Sequence, residues 1–168
     1  MPTRALALLA AVAALASAGA GCGGDGEEQT ATAPDEPQST AISTDLTTKP
    51  EIPRPTGDPP ADLVTEDVVV GDGRTARRGD RVTVHYVGVN FSTGEQFDAS
   101  WDSGQPLTFP LGRGQVIPGW DRGVAGMRVG GRRKLVIPPQ LAYGAQGYPP
   151  AIPPNETLVF VVDLRRVA

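Results

Sequence analysis

All nine aromatic residues of this 168-residue chain fall between Tyr86 and Phe160. That confinement limits where a core can form. A segment without aromatics or an apolar period cannot bury enough surface to offset the entropy of ordering it. The first sixty residues therefore read as carrying no domain of their own. Gly 21 and Pro 17 bring the chain close to the composition at which a disordered portion is expected. Charge divides at the same place: 3 basic and 8 acidic residues through Ala61, against 12 basic and 11 acidic from Asp62 onward. The acidity belongs to the tail, and a nearly neutral remainder gives no electrostatic basis for binding nucleic acid. About a hundred residues are left for one folded unit, enough for a core without disulfide staples. A lone cysteine could not supply one in any case.

The chain begins with a single positive charge at Arg4, an apolar run over residues 5–16 and small residues after it, the layout of a secretory signal peptide. The run is too short for a permanent membrane span. Two cleavage sites compete. Ala16-Ser17-Ala18 would release a soluble secreted protein, whereas Ala20-Gly21-Cys22 followed by Gly23-Gly24-Asp25 resembles the lipobox of bacterial lipoproteins. Gly19 stands where that pattern usually has an aliphatic residue. The lipobox reading is preferred because a lone cysteine in an exported chain otherwise leaves an unpaired thiol. It implies lipid attachment at Cys22 and anchorage to the outer face of the bacterial cytoplasmic membrane. Residues 1–21 are then signal peptide, 22–61 a lipid-anchored disordered linker rich in Gly, Thr, Ser, Pro and acids, and 62–168 the folded domain.

Within that domain, residues 81–90 alternate: Val82, Val84, Tyr86 and Gly88 share one face, and Thr83, His85, Val87 and Val89 the other, as in a sheet strand. Further strands are expected at Val64 and 68–70, 96–99, 107–111, 132–137 and 158–167. The last has Leu158, Phe160, Val162 and Leu164 on one face. One segment reads as helical: Pro118 suits a first helical position, Trp120, Val124 and Met127 recur on one side, and Gly130 is placed to end it. The expected architecture is α+β, a curved antiparallel sheet packed over one short helix.

Five separated segments carry a resemblance: Val84-His85-Tyr86; Gly94-Glu95-Gln96-Phe97-Asp98-Ala99-Ser100; Gly114-Gln115-Val116-Ile117-Pro118-Gly119-Trp120; Ala142-Tyr143-Gly144; and Ile152-Pro153-Pro154-Asn155-Glu156-Thr157-Leu158-Val159-Phe160. In order and spacing they resemble the FKBP-type peptidyl-prolyl cis-trans isomerases over roughly residues 62–167. The resemblance implies a five- or six-stranded antiparallel sheet wrapped around the helix, with an aromatic pocket between them that admits a proline ring. It implies catalytic roles for Tyr86, Phe97, Asp98, Trp120, Tyr143 and Phe160, and substrate binding by Leu107, Val116, Ile117, Tyr148 and Ile152. Trp120 would be the floor, and the Ile117 N–H and Tyr143 hydroxyl would hold substrate carbonyls. On periodicity alone Trp120 reads as a core residue; the surrounding motif reverses that preference. For Asp98 two roles stay open, orienting Tyr86 or the twisting amide, and fixing the pocket wall as a hydrogen-bonded carboxylate. Leu107 stands where an aromatic is frequent, Tyr148 where histidine is known and Ala151 where a bulkier aliphatic is usual.

The implied partners are proline-containing polypeptide clients, with macrolide inhibitors as candidate ligands and the membrane reached through the lipid anchor. Nucleic acid is excluded, a monomer is expected, and no cofactor or metal is called for. A module that binds proline segments without turnover is the alternative from another class. The only histidine, His85, lies on the strand face opposite Tyr86, so a histidine dyad or metal cluster is unavailable, and His85 is read as structural. Arg132-Arg133-Lys134 reads as a solvated sheet face.

Overall fold

The two ten-residue strands with the clearest alternation form the middle of the sheet. In a computed structural model, which describes residues 41–168, β2 (Arg81–Asn90) pairs antiparallel with β6 (Leu158–Val167) along nearly its whole length. β5 (Arg132–Ile137) pairs with the other side of β6, and β1 (Val64–Val69) with β5. The free side of β2 is shared: β3 (Gln96–Ala99) pairs with Val87–Val89 and β4 (Leu107–Pro110) with Arg81–Val84. The result is a six-stranded antiparallel sheet ordered β1-β5-β6-β2-β3, with β4 beside β2. The α+β reading and the strand positions hold. The expected signal segment, the expected lipid site at Cys22 and the linker as far as residue 40 lie outside the described residues.

Period-two alternation sends each strand's residues to opposite faces. Val82, Val84, Leu135, Ile137, Leu158, Phe160, Val162 and Leu164 point to the inner face and form the main core with Phe109, Leu111, Trp120, Val124 and Met127. Helix α2 (Pro118–Gly123) lies on that face, with Pro at its first position and Trp120 buried. A Cβ on Gly119 would sit 2.3 Å from Ile137 Cγ2, so glycine is what lets the helix approach β5 closely.

Three expectations need correction. Helix α2 ends at Gly123, well before Gly130. Gly126 takes a left-handed φ of 85°, and its N–H bonds the Ala76 carbonyl, so the chain turns away to pair with residues 75–76. Val124 and Met127 are still buried in the core. A second one-turn helix, α1 (Ser100–Ser103), bulges between β3 and β4, and a 3-10 turn covers Pro139–Leu141; neither was expected from the sequence.

The second correction concerns residues 41–61, read as disordered linker. They have no regular secondary structure but make specific contacts with the outer face of the sheet, where Val87, Val89, Ala99, Val136 and Val159 form a second buried cluster with Ile52, Phe91 and Trp101 packed against it. Pro50 is buried. The third correction follows from it. Arg132 is no solvated residue: its side chain is 0% exposed and pairs with Asp163, 1% exposed. The guanidinium donates to both Asp163 oxygens at 2.5 and 2.7 Å, to the Ser43 carbonyl at 2.6 Å and to the Thr48 carbonyl at 3.2 Å. A buried ion pair offsets its desolvation only when its remaining hydrogen-bonding positions are filled, and here the 41–61 segment fills them.

Candidate active site

The inner face is not wholly covered. Between β2, β3, β6 and the start of α2 opens a cavity of about 430 Å³, lined by Tyr86, Phe97, Asp98, Leu107, Gly114, Gln115, Val116, Ile117, Trp120, Tyr143 and Phe160. Its rings meet edge to face, the arrangement aromatic quadrupoles favour. Trp120 lies 5.0 Å from Tyr86 and 5.2 Å from Phe160, and Phe97 lies 5.4 Å from Phe160, with interplanar angles of 83 to 89°. Gly88, in the middle of β2, makes this possible. A Cβ there would stand 2.7 Å from both the Phe97 and the Phe160 ring, so only glycine leaves room for the two rings to meet above the strand.

Nine of the eleven residues named from the sequence line this one cavity. The other two are placed differently. Ile152 is 3% exposed and belongs to the main core, its backbone paired with Tyr148. Tyr148 stands at the surface, 65% exposed, with its ring 5.8 Å from that of Tyr143. Both sit on the segment following Gly144, which turns back on itself through the Tyr148–Ile152 bridge and so directs Ile152 inward and Tyr148 outward. Gly114 and Gln115 line the cavity but had no assigned role, although they lie in one of the recognised motifs.

The polar groups are few and held in place. Tyr86 donates its hydroxyl to Asp98 at 2.5 Å, and burial, reinforced by that hydrogen bond, pushes the Tyr86 hydroxyl far above the usual tyrosine range. Tyr143 is shifted upward too, again first by burial and then by the Asp98 charge. Both phenols are therefore neutral donors at physiological pH. The Tyr86 N–H is held by Ser100 Oγ at 2.8 Å, and the same hydroxyl meets His85 Nδ1 at 3.0 Å on the other side of the strand. His85 stacks on Trp101 at 4.6 Å, away from the cavity.

Ile117 precedes the helix with extended backbone angles, and its N–H has no acceptor among the described residues, as expected of an orphan donor at a helix start. The loop leading to it is fixed by Asp121 of α2, whose carboxylate accepts the N–H groups of Gly112 and Gly114 at 2.8 and 2.9 Å. Asp121 went unnoticed in the sequence because it works through backbone N–H groups of the loop, which no side-chain pattern announces. Among the described residues no group of three His, Cys, Asp or Glu side chains is arranged to hold a metal.

Comparison with known proteins points the same way as the geometry. Residues 72–165 match the model of the family described as FKBP-type peptidyl-prolyl cis-trans isomerase. The chain is 62% identical over 117 residues to an FK506-binding protein of Streptomyces anulatus, covering 69% of this chain and 94% of the relative. It is 53% identical over 116 residues to a probable FK506-binding protein of Corynebacterium glutamicum, covering 69% and 96%. Among solved structures, the crystal structure of AtFKBP13 superposes with a TM-score of 0.58 at 42% identity, covering 63% of this chain and 93% of that one. A sheet packed over one short helix, with an aromatic cavity where the two meet, thus belongs in this chain to a member of the FKBP-type peptidyl-prolyl cis-trans isomerases, and the protein is an enzyme of that class.

Proposed function

We propose that the aromatic cavity is where prolyl bonds turn, and that it acts without any covalent step. Rotation about a peptide bond is opposed by about 18 to 20 kcal/mol, and prolyl bonds cross that barrier unaided in tens to hundreds of seconds. A twisted amide has lost resonance and is less dipolar than the planar form. A pocket walled by Tyr86, Phe97, Trp120 and Phe160 withholds the water that stabilises the planar amide and so favours the twisted one. Each tenfold of rate requires about 1.4 kcal/mol of such preference. The Ile117 N–H and the Tyr143 hydroxyl hold carbonyls flanking the proline, and Asp98, through Tyr86, fixes the wall. The observation that carries this reading is the convergence of four rings around one open cavity whose only carboxylate is engaged by a neutral tyrosine.

The relatives' names mention FK506, and the same cavity is proposed to admit macrolides of that class by presenting the walls that a proline ring meets. The natural substrates are proposed to be proline-containing segments of exported proteins, with the enzyme held outside the cytoplasmic membrane through a lipidated Cys22. Turnover of a short prolyl peptide by residues 41–168, measured by exchange NMR with a Phe97→Ala control, tests the site. Activity lost in the control while the fold persists supports it, and an unchanged rate removes the cavity from the mechanism. Mass spectrometry of the mature N-terminus tests the anchor: a diacylated Cys22 supports it, and an unmodified start at Gly19 overturns it.

A further inference from the structure

The strap formed by residues 41–61 contacts residues that adjoin two of the segments lining the cavity. Lys49 Nζ reaches Asp102 at 2.5 Å, and Asp102 in turn accepts from the Gln96 side chain at 2.8 Å. Gln96 opens β3, the strand that carries Phe97 and Asp98. Arg54 lies over the β2–β3 turn. Its Nη2 donates to the Ser92 carbonyl at 3.4 Å, and its aliphatic stem is so close to Gly94 that a Cβ there would meet it at 3.0 Å. Ser92 is held from the other side by Glu156, through its N–H and its hydroxyl, both at 2.8 Å. At the far end the Ala61 carbonyl accepts from Gln140 at 2.6 Å, in the 3-10 turn that leads to Tyr143.

β3 is short and lies at an edge of the sheet, paired on one side only. Four residues with one neighbouring strand are weakly determined by backbone pairing, since edge positions lack a second ladder. Without the strap, β3 depends on β2 and on the packing of Phe97. The Lys49 contact also holds the Asp102 carboxyl below its usual range, the largest cause being that hydrogen bond.

We propose that residues 41–61 are a working part of the catalytic domain, with Lys49 and Ile52 as positioning residues that hold β3, and so Phe97 and Asp98, in register with the rest of the cavity. The strap is anchored at one end by the Arg132–Asp163 pair and in the middle by Ile52 on the Val87–Val89–Val136–Val159 cluster. It acts on β3 through Lys49 and on the turn through Arg54. The segment therefore sets the depth and rigidity of the wall without touching substrate.

The test uses the full chain with Lys49→Met and Ile52→Ser together, far below its unfolding temperature. Three quantities are read: kcat and KM on a prolyl peptide, amide exchange at Gln96–Ala99, and amide exchange at β1. The expected result is faster exchange at 96–99 with β1 unchanged, and kcat/KM lower by roughly three- to tenfold, within the range that small misplacements of catalytic groups produce. Most of the loss should fall in kcat. A Lys49→Arg chain, which keeps a cation and a donor within reach of Asp102, should stay within about twofold of the parent. Faster β3 exchange with unchanged kcat/KM overturns the proposal and leaves the strap as a cover. Exchange rising equally at β1 overturns it in favour of general destabilisation. Should the double variant not fold, Lys49→Met alone is read in the same way: faster exchange confined to 96–99 with a lower kcat supports the coupling, and the absence of either removes it.

Discussion

The two faces of the sheet are closed by different means. On the inner face apolar side chains from every long strand meet those of α2, and water is excluded by close packing, except at the cavity. On the outer face a segment without regular structure lies across a row of valines and is anchored by a guanidinium that bonds backbone carbonyls. Burial of apolar area is non-directional and tolerates rearrangement, while a buried ion pair with filled hydrogen bonds is intolerant of losing one member. The inner face thus leaves an open cavity between its rings. The outer face offers a clamp.

The largest expected effect breaks the clamp. Arg132→Ala leaves Asp163 buried without its partner and should cost about 3 to 5 kcal/mol, read as a fall in the urea midpoint at constant slope. Arg132→Met with Asp163→Leu should recover most of it, which would separate the loss of a buried charge from the loss of the strap. On the inner face, Gly88→Ala drives a Cβ to within 2.7 Å of the Phe97 and Phe160 rings, and overpacking of this kind costs about 1 to 3 kcal/mol. Because those rings line the cavity, kcat/KM should fall more steeply than stability; an equal loss of both would blur the distinction between the faces.

Tyr86→Phe removes the hydroxyl that donates to Asp98 and should cost about 1 kcal/mol of stability, with a several-fold loss of kcat/KM. The hydroxyl also gives the inner face a pH signature. Its pKa is raised in the native state, so below the unfolded tyrosine value of about 10 its contribution is fully present. As pH rises above that value the unfolded chain gives up its proton first, and stability falls. The alkaline limb should flatten in Tyr86→Phe. His85, on the outer face, has the opposite and smallest signature. Burial is the main cause of its lowered pKa, with the Arg165 charge second. Stability should therefore be complete above pH about 6.5 and decline as pH falls through the lowered native value, because the unfolded imidazole binds its proton first. A chain with His85→Gln should lose that acid limb, as followed by thermal melts between pH 5 and 8.

Much of the inner face was legible beforehand. Alternation at 81–90 and 158–167 marks which residues point to the core, and Tyr86, Phe97, Trp120 and Phe160 lie in segments whose order and spacing carry the family. Which of Tyr148 and Ile152 faces inward was not legible, because a short turn-back decides it and no period of two or 3.6 exists there to read. The outer face was hardly legible. Its anchors on Arg132 are the carbonyls of Ser43 and Thr48, groups that every residue possesses, so no side-chain pattern announces them. Arg132 itself was read with its cationic neighbours as solvated, although Asp163 across the β5–β6 pairing is the partner that buries it.

By itself the sequence determined the strands, the side of each that turns to the core, and the set of rings able to make an apolar cavity. It could do so because side-chain period and residue type act locally and repeat. Tertiary structure alone decided where the helix stops, which face of the sheet the proline-rich segment covers, and which charges are taken out of water. Those outcomes depend on contacts between backbone groups and side chains distant along the chain, such as the 89-residue separation between Ser43 and Arg132, whose energies exist only once the chain has brought them together.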